Sequence, residues 1–139
     1  MRLARPVAAA LALAASVAAA GEADVVAARA ERQPDGRYRF VVTLRHADSG
    51  WSHYADGWQV LAPDGRVLAT RVLRHPHVDE QPFTRDLADV EIPEDLRRVV
   101  IRARDSKHGA GGAEVQVDLP DRNDRSDRRA GTEPDPAAK

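Results

Sequence analysis

Short runs of alternating apolar and polar residues, separated by tight-turn signals, dominate the middle of this 139-residue chain. Alternation with a period of two is the pattern of a β-strand with one buried face, because successive side chains point to opposite sides. The clearest run follows the turn signal Pro34-Asp35-Gly36, and its inward phase holds Tyr38, Phe40, Val42 and Leu44. A second turn signal, Pro63-Asp64-Gly65, follows a run built on Trp58, Val60 and Ala62. In each turn proline presets φ and glycine accepts a positive φ.

Seven strands are predicted in this way, at residues 24–32, 38–44, 58–62, 66–73, 83–87, 97–105 and 113–119. The inward positions of the first, sixth and seventh strands are Val26, Ala28 and Ala30, then Val99, Ile101 and Ala103, then Val115 and Val117. Seven short strands in about a hundred residues predict an all-β fold, a β-sandwich with Greek-key connections. A small barrel is the alternative.

The strand count, a tryptophan in the third strand (Trp58) and the run Ile92-Pro93…Leu96 before the sixth strand resemble immunoglobulin and fibronectin type III domains. The resemblance covers Asp24 to Leu119 and implies the fold class: all-β, a seven-stranded immunoglobulin-like Greek-key sandwich. It departs from antibody domains in having no cysteine pair and no tyrosine in the sixth strand. A second resemblance is to small exported bacterial proteins of unassigned function. It rests on Trp58-Gln59-Val60, Pro63-Asp64-Gly65, His75-Pro76-His77 and Glu80-Gln81-Pro82-Phe83-Thr84-Arg85.

The two ends of the chain differ in composition from this central region. Residues 1–20 carry Arg2 and Arg5, then an Ala, Leu and Val run that ends in Ala18 and Ala20. They predict a secretory signal peptide, with an uncleaved Ala-rich anchor as the alternative and Gly21 as the new N-terminus. Residues 121–139 have no large apolar side chain and predict a disordered tail. The folded domain is therefore predicted at residues 21–120, in a periplasmic or secreted protein with no membrane span after processing.

Composition excludes several functions. The chain has no cysteine, so no disulfide, thiolate metal site or lipid anchor on cysteine is expected. Without residues 1–20 it has 19 Lys and Arg against 22 Asp and Glu, a net charge of −3 with neutral histidines. That balance does not favour nucleic acid as a partner. The outward residues Arg98, Arg102 and Arg104 are predicted to face Glu114, Gln116 and Asp118 as cross-strand pairs.

The segment from Arg74 to Phe83 is the richest in chemically active groups. It holds two histidines, two carboxylates and two prolines between two predicted strands. The prolines exclude helix and interior strand. In an extended segment His75 and His77 lean to the same side, which makes them a candidate pair of metal ligands.

The alternating connections of a sandwich place the other histidines at the same end. The second-to-third, fourth-to-fifth and sixth-to-seventh connections contain all five: His46, His53, His75, His77 and His108. Neutral imidazole is the commonest protein ligand of zinc and copper ions. We therefore predict a zinc or copper ion bound by His75 and His77 with His53 or His108. Carboxylates that could complete or orient the site are Asp48, Asp56, Asp79, Glu80 and Asp105.

Two other interpretations remain open. The histidines could be ordinary loop residues, with His46 covering the core. Alternatively, Trp51, Tyr54 and Phe83 could anchor an exported protein partner without metal, since aromatic side chains are favoured anchors. The first choice is an exported, non-enzymatic binding module, and the alternative is a structural or partner-binding accessory domain.

A hydrolase is the third choice. Asp105, Ser106 and His108 have the residue types of a catalytic triad, but neighbours in one loop rarely reach triad geometry. The glycines that follow open a strand rather than a helix, so they predict no phosphate site. No catalytic residue is assigned.

Overall fold

The computed structural model describes residues 21–122. The predicted signal peptide, residues 1–20, and all but the first two residues of the predicted tail lie outside this range, so both remain predictions. Within residues 21–122 no helix is long and apolar enough to cross a membrane.

The described residues form eight strands. They are β1 (Asp24–Arg32), β2 (Tyr38–Arg45), β3 (Ala55–Leu61), β4 (Val67–Val72), β5 (Phe83–Val90), β6 (Arg98–Asp105), β7 (Gly109–Ala110) and β8 (Val115–Asp118). All the strand pairs are antiparallel. Between Tyr38 and Leu119 the chain has no helix. The prediction of an all-β fold is confirmed.

The strands make two sheets that share one hydrophobic core. The first sheet has the order β1-β2-β5, and the second has the order β4-β3-β6, with β7 and β8 both paired to β6. Phe40 and Val42 of the first sheet and Trp58 and Ile101 of the second are completely buried in the same cluster. The two sheets therefore pack face to face, as burial of one apolar face on each requires.

The inward residues predicted for the second and sixth strands are confirmed, because all of them are buried: Tyr38, Phe40, Val42, Leu44, Val99, Ile101 and Ala103. The first strand departs from simple alternation. Val25 is 4% exposed and Val26 is 42% exposed, and the pairing with β2 shifts register between Val25 and Ala27. A β-bulge puts one extra residue on one strand, so Val26 was wrongly predicted to point inward. Ala28 and Ala30 pack against the core as predicted.

Both Pro-Asp-Gly turns form as predicted. Gly36 has a φ of +87° and Gly65 a φ of +93°. The second turn is closed by the N–H of Ala62, which donates to the carbonyl of Arg66 over 2.9 Å. Of the predicted charge pairs, Arg98 and Asp118 are opposed and bonded at 3.2 Å, whereas Arg102 donates to Gln59 on the other neighbouring strand.

The strand predicted at residues 113–119 is shorter and has a companion. β7 pairs with Arg104 and Asp105, whereas β8 pairs with residues 98–101, so both lie along the same edge of β6. Residues 111–114 interrupt the pairing because they turn toward the start of β1, where the N–H of Val25 donates to the carbonyl of Ala113 over 2.9 Å. This contact places residues 21–24 beside the β6–β7 turn.

Candidate metal centre at one end of the sandwich

Three loops meet at one end of the sandwich, as the alternation of connections predicts. The N–H of His77, from the β4–β5 loop, donates to Asp48 Oδ2 in the β2–β3 loop over 2.7 Å. The N–H of Ser106, from the β6–β7 loop, donates to the carbonyl of Tyr54 over 2.9 Å. All five histidines lie in or beside these loops.

Three of the histidines converge on one backbone oxygen, the carbonyl of Gly21. His46 Nε2, His53 Nε2 and His108 Nδ1 each lie 2.9 Å from it. A carbonyl oxygen has two lone pairs, so it has one acceptor position for each of two donors. Three ring nitrogens around it are therefore more than hydrogen bonding alone explains. We call His46, His53, His108 and Asp105, grouped around the Gly21 carbonyl, the carbonyl cluster.

Asp105 supplies the negative charge of the carbonyl cluster. Its Oδ2 lies 3.0 Å from His53 Nε2 and 2.8 Å from His108 Nδ1. The same oxygen accepts the backbone N–H groups of Lys107 and His108. Within residues 21–122 the buried Oδ1 has no hydrogen-bond partner. A carboxylate that is 1% exposed and has one oxygen unpaired is suited to a further cationic partner.

The pKa values of Asp105 and His108 follow from the same contacts. Burial acts to raise the pKa of Asp105, but hydrogen bonds from the His108 backbone and side chain, the Lys107 backbone and the His53 side chain lower it overall. The hydrogen bond to Asp105 raises the pKa of His108 above its usual value. Asp105 is therefore ionised at neutral pH and attracts positive charge to this end of the molecule.

His46 is oriented by a second carboxylate. Its Nδ1 lies 2.5 Å from Asp48 Oδ1, and both side chains are almost fully buried. Asp48 also accepts the backbone N–H groups of Ala55 and His77, so it acts as an acceptor and His46 Nδ1 donates to it. A neutral His46 then presents a lone pair at Nε2, directed at the Gly21 carbonyl, which is another acceptor. A second proton on Nε2 or a metal cation would relieve this opposition.

The geometry is compatible with a bound metal ion. One ligand atom from each of His46, His53 and Asp105 lies within 4.8 Å of the other two. Bonds of about 2.1 Å place neighbouring ligands about 3.0–3.4 Å apart in a coordination shell, and His53 Nε2 lies 3.0 Å from Asp105 Oδ2. Metal-bound histidines characteristically donate their other ring N–H to a carboxylate. His46 already makes this bond to Asp48.

The segment from Arg74 to Phe83, which we call the His-Pro-His arm, has a different environment. Arg85 Nη2 donates to His77 Nε2 over 2.9 Å, and the His77 ring stacks on Phe83 with centroids 4.0 Å apart. Guanidinium has no acceptor, so a neutral His77 keeps its proton on Nδ1. Burial, then the charges of Arg85 and His75, lower the pKa of His77. The one lone pair of this imidazole is already occupied by a cation.

His75 and His77 are near each other, with ring centroids 4.7 Å apart. Neither belongs to the group of three residues whose ligand atoms lie within 4.8 Å of one another. His75 is exposed. Of the predicted ligands, the structure thus brings His53 into the group of three and His108 beside it, on the same Asp105 oxygen. The His-Pro-His arm instead contacts the centre through Asp48, which accepts the N–H of His77 and is bonded to His46.

Two members of the group, His46 and Asp105, lie outside the predicted ligand set of His75, His77, His53 and His108, although Asp105 was among the carboxylates expected to complete or orient the site. His46 continues the inward phase of β2, and Asp105 continues the inward phase of Val99, Ile101 and Ala103 in β6. A polar residue that ends an inward phase is the signal that would have identified them. His53 is positioned by the turn before β3, in which its N–H donates to the carbonyl of Gly50 and its carbonyl accepts the N–H of Ser49.

Of the three residues considered as a triad, Ser106 has another partner. Ser106 Oγ accepts the backbone N–H of Tyr54 over 3.1 Å, which ties the β6–β7 loop to the residue before β3. His108 and Asp105 are bonded to each other in the carbonyl cluster.

No protein-family model and no solved structure matches the chain. A protein of Halomicrobium mukohataei named "Putative lipoprotein" is 41% identical over 97 residues, which are 70% of this chain and 47% of that protein. The chain thus spans about half the length of this relative.

Proposed function

We propose that this protein is an exported, non-enzymatic module that binds a zinc or copper ion at the carbonyl cluster. The ligands are His46, His53 and Asp105, and His108 adjoins them. The observation that carries the proposal is the buried bond between His46 and Asp48, which directs the other nitrogen of that ring to a point shared with His53 and Asp105. The name of the Halomicrobium relative supports export.

The donor set favours these metals over harder cations. Two imidazoles and one carboxylate suit zinc and copper, whereas magnesium and calcium prefer oxygen ligands throughout. No catalytic role is assigned, because binding alone accounts for the buried, hydrogen-bonded state of the ligands.

The scaffold of the proposed module is immunoglobulin-like. The orders β1-β2-β5 and β4-β3-β6-β8 support this assignment, because a three-stranded sheet facing a four-stranded sheet is one arrangement of that fold. β7 and β8 then count as one interrupted edge strand. Loops at one end of such a sandwich are the usual place for a binding site.

Titration with Zn²⁺, Cu²⁺ and Ni²⁺, followed by native mass spectrometry and calorimetry, tests the proposal. We expect one ion per chain and at least about a 100-fold loss of affinity in His53→Ala, because a ligand is removed. The matched control is the double variant His75→Ala, His77→Ala, which alters two histidines of the same pole outside the group. A wild-type chain that takes up no ion, or equal losses in both variants, would contradict the proposal.

A second function is favoured by one observation at the same end of the sandwich. Trp51 is 68% exposed and makes an edge contact with Tyr54. An exposed tryptophan on a loop suits a partner-binding surface. If the wild-type chain binds none of the three metals, this partner-binding accessory role becomes the better explanation.

A further inference from the structure

Gly21 is part of the carbonyl cluster and not merely a residue that precedes the first strand. Its backbone has a φ of +129°, which disfavours any residue with a side chain. A methyl group built on its α-carbon would overlap Cε1 of His108. Space beside His108 therefore favours glycine at this position, and the φ angle favours it as long as Ala20 precedes it.

The segment that carries Gly21 is fixed by three hydrogen bonds. Glu22 Oε2 accepts the N–H of Gly112 over 2.9 Å, and Asp24 Oδ1 accepts the N–H of Ala113 over 2.7 Å. The bond from Val25 to the carbonyl of Ala113 continues this pairing. A side chain at Gly112 would overlap the carbonyl of Ala23, so the close approach also depends on glycine there.

Covalent geometry limits where the nitrogen of Gly21 can lie. Within one residue the backbone N and O are about 2.7–3.6 Å apart, whatever the ψ angle. The Gly21 oxygen lies 2.9 Å from each of three imidazole nitrogens. The Gly21 nitrogen is therefore close to the same point.

The chemical state of that nitrogen depends on the peptide bond before it. In the uncut chain its lone pair is delocalised into the Ala20 carbonyl, so it is not a metal ligand. The small residues Ala18 and Ala20 predict cleavage after Ala20. Hydrolysis adds one water across this bond, leaving a carboxylate on Ala20 and a primary amine on Gly21.

We propose that cleavage after Ala20 completes the metal centre, because the freed amine and the carbonyl oxygen of Gly21 chelate the ion in a five-membered ring. This inference rests on the proposed function. The amine adds a nitrogen to the imidazoles, and nitrogen-rich sites bind Cu²⁺ more tightly than other divalent ions of its row. The preferred ion is therefore Cu²⁺, and the processed chain binds it with one more nitrogen ligand than the uncut chain.

The test compares one protein before and after cutting. Residues 21–139 are fused to a carrier through a protease site that leaves glycine as the first residue. Cu²⁺ affinity is measured by competition with a chelator, for the uncut fusion, for the cut chain and for a cut chain that retains Ala20. Paramagnetic resonance of the Cu²⁺ forms counts the bound nitrogens.

We expect the chain beginning at Gly21 to bind Cu²⁺ at least about 10-fold more tightly than both other forms and to show one more bound nitrogen. Equal affinity in all three forms, each still sensitive to His53→Ala, would overturn the inference and leave the proposed function intact. No binding in any form would overturn both. Circular dichroism of each form shows whether all three are equally folded.

Discussion

The carbonyl cluster and the His-Pro-His arm lie at the same end of the sandwich, yet they place histidine in opposite electrostatic environments. In the cluster, the imidazoles of His53 and His108 face the buried carboxylate of Asp105. In the arm, the imidazole of His77 faces the guanidinium of Arg85. The first environment attracts a cation and the second already contains one. The sign of the charge beside each imidazole therefore distinguishes the two regions, which the spacing of histidines in the sequence does not.

The largest effect that tests this contrast is on metal affinity. Asp105→Asn removes the charge and one ligand oxygen, so we expect at least about a 100-fold loss of Zn²⁺ or Cu²⁺ affinity. Arg85→Met removes the charge beside the arm, and we expect less than about a 3-fold change, because Arg85 touches no member of the cluster. Calorimetric titration of both variants measures the difference. Similar losses in the two would show that the two regions are not distinct.

The next effect is on folding stability. Asp48 accepts three hydrogen bonds and joins the two regions, through His46 on one side and the His77 N–H on the other. Asp48→Asn keeps the volume but turns an amide N–H toward a donor, and we expect a loss of about 1–3 kcal/mol in the free energy of unfolding. Urea denaturation of the metal-free protein measures it.

The matched control for that variant is Asp79→Asn, which alters an exposed carboxylate of the arm. It should stay within about 0.5 kcal/mol of the wild type. An equal change in both variants would mean that the hydrogen bonds of Asp48 do not stabilise this end of the sandwich.

A smaller effect concerns the protonation of the arm. Burial is the first cause of the low pKa of His77 and the charge of Arg85 is the second. In Arg85→Met we therefore expect the pKa of His77 to rise while remaining below that of an exposed histidine. Imidazole signals in an NMR titration report it directly. An unchanged pKa would show that the guanidinium contact does not persist in solution.

The smallest effect is on the pH dependence of stability, where the two regions should act with opposite signs. The pKa of His77 is lowered in the folded state, so its contribution is present above about pH 6.5 and is lost as pH falls below that value. The pKa of His108 is raised by Asp105, so its contribution is present below about pH 6.5 and is lost as pH rises through the folded value.

Melting temperatures of the metal-free protein between about pH 5 and 8 separate the two contributions. His77→Gln should flatten the acid side of the profile, and His108→Gln should flatten the neutral side. Identical profiles for the two variants would show that these histidines do not differ in their folded surroundings.

Strands could be predicted from the sequence because one local rule, alternation, determined them. That rule placed Phe40, Trp58 and Ile101 correctly and failed at Val26, where a bulge added one residue. No local pattern indicates a bulge, since it depends on the partner strand. The two sheets and their shared core were therefore predictable, whereas details of register were not.

The candidate metal centre was only partly predictable, because its members come from four separate segments. The convergence of three loops followed from the alternation of connections. The pairing of Asp105 with His53, 52 positions away, depends on how β3 pairs with β6. The placement of Gly21 beside His53 depends on how residues 111–114 meet β1. The charge beside His77 comes from Arg85 in β5. Alternation identifies Arg85 as a residue of a strand but does not indicate its contact with His77.

The side chain of Arg71 has a consequence for behaviour at high concentration. It donates from β4, at the edge of one sheet, to the carbonyl of Asp86 in β5, at the edge of the other, over 2.9 Å. An unpaired strand edge is a template on which a second molecule can add a strand and begin to aggregate. By joining the two sheet edges, Arg71 occupies one backbone acceptor of β5 and places a cation where a neighbouring molecule would dock. Both effects favour colloidal stability.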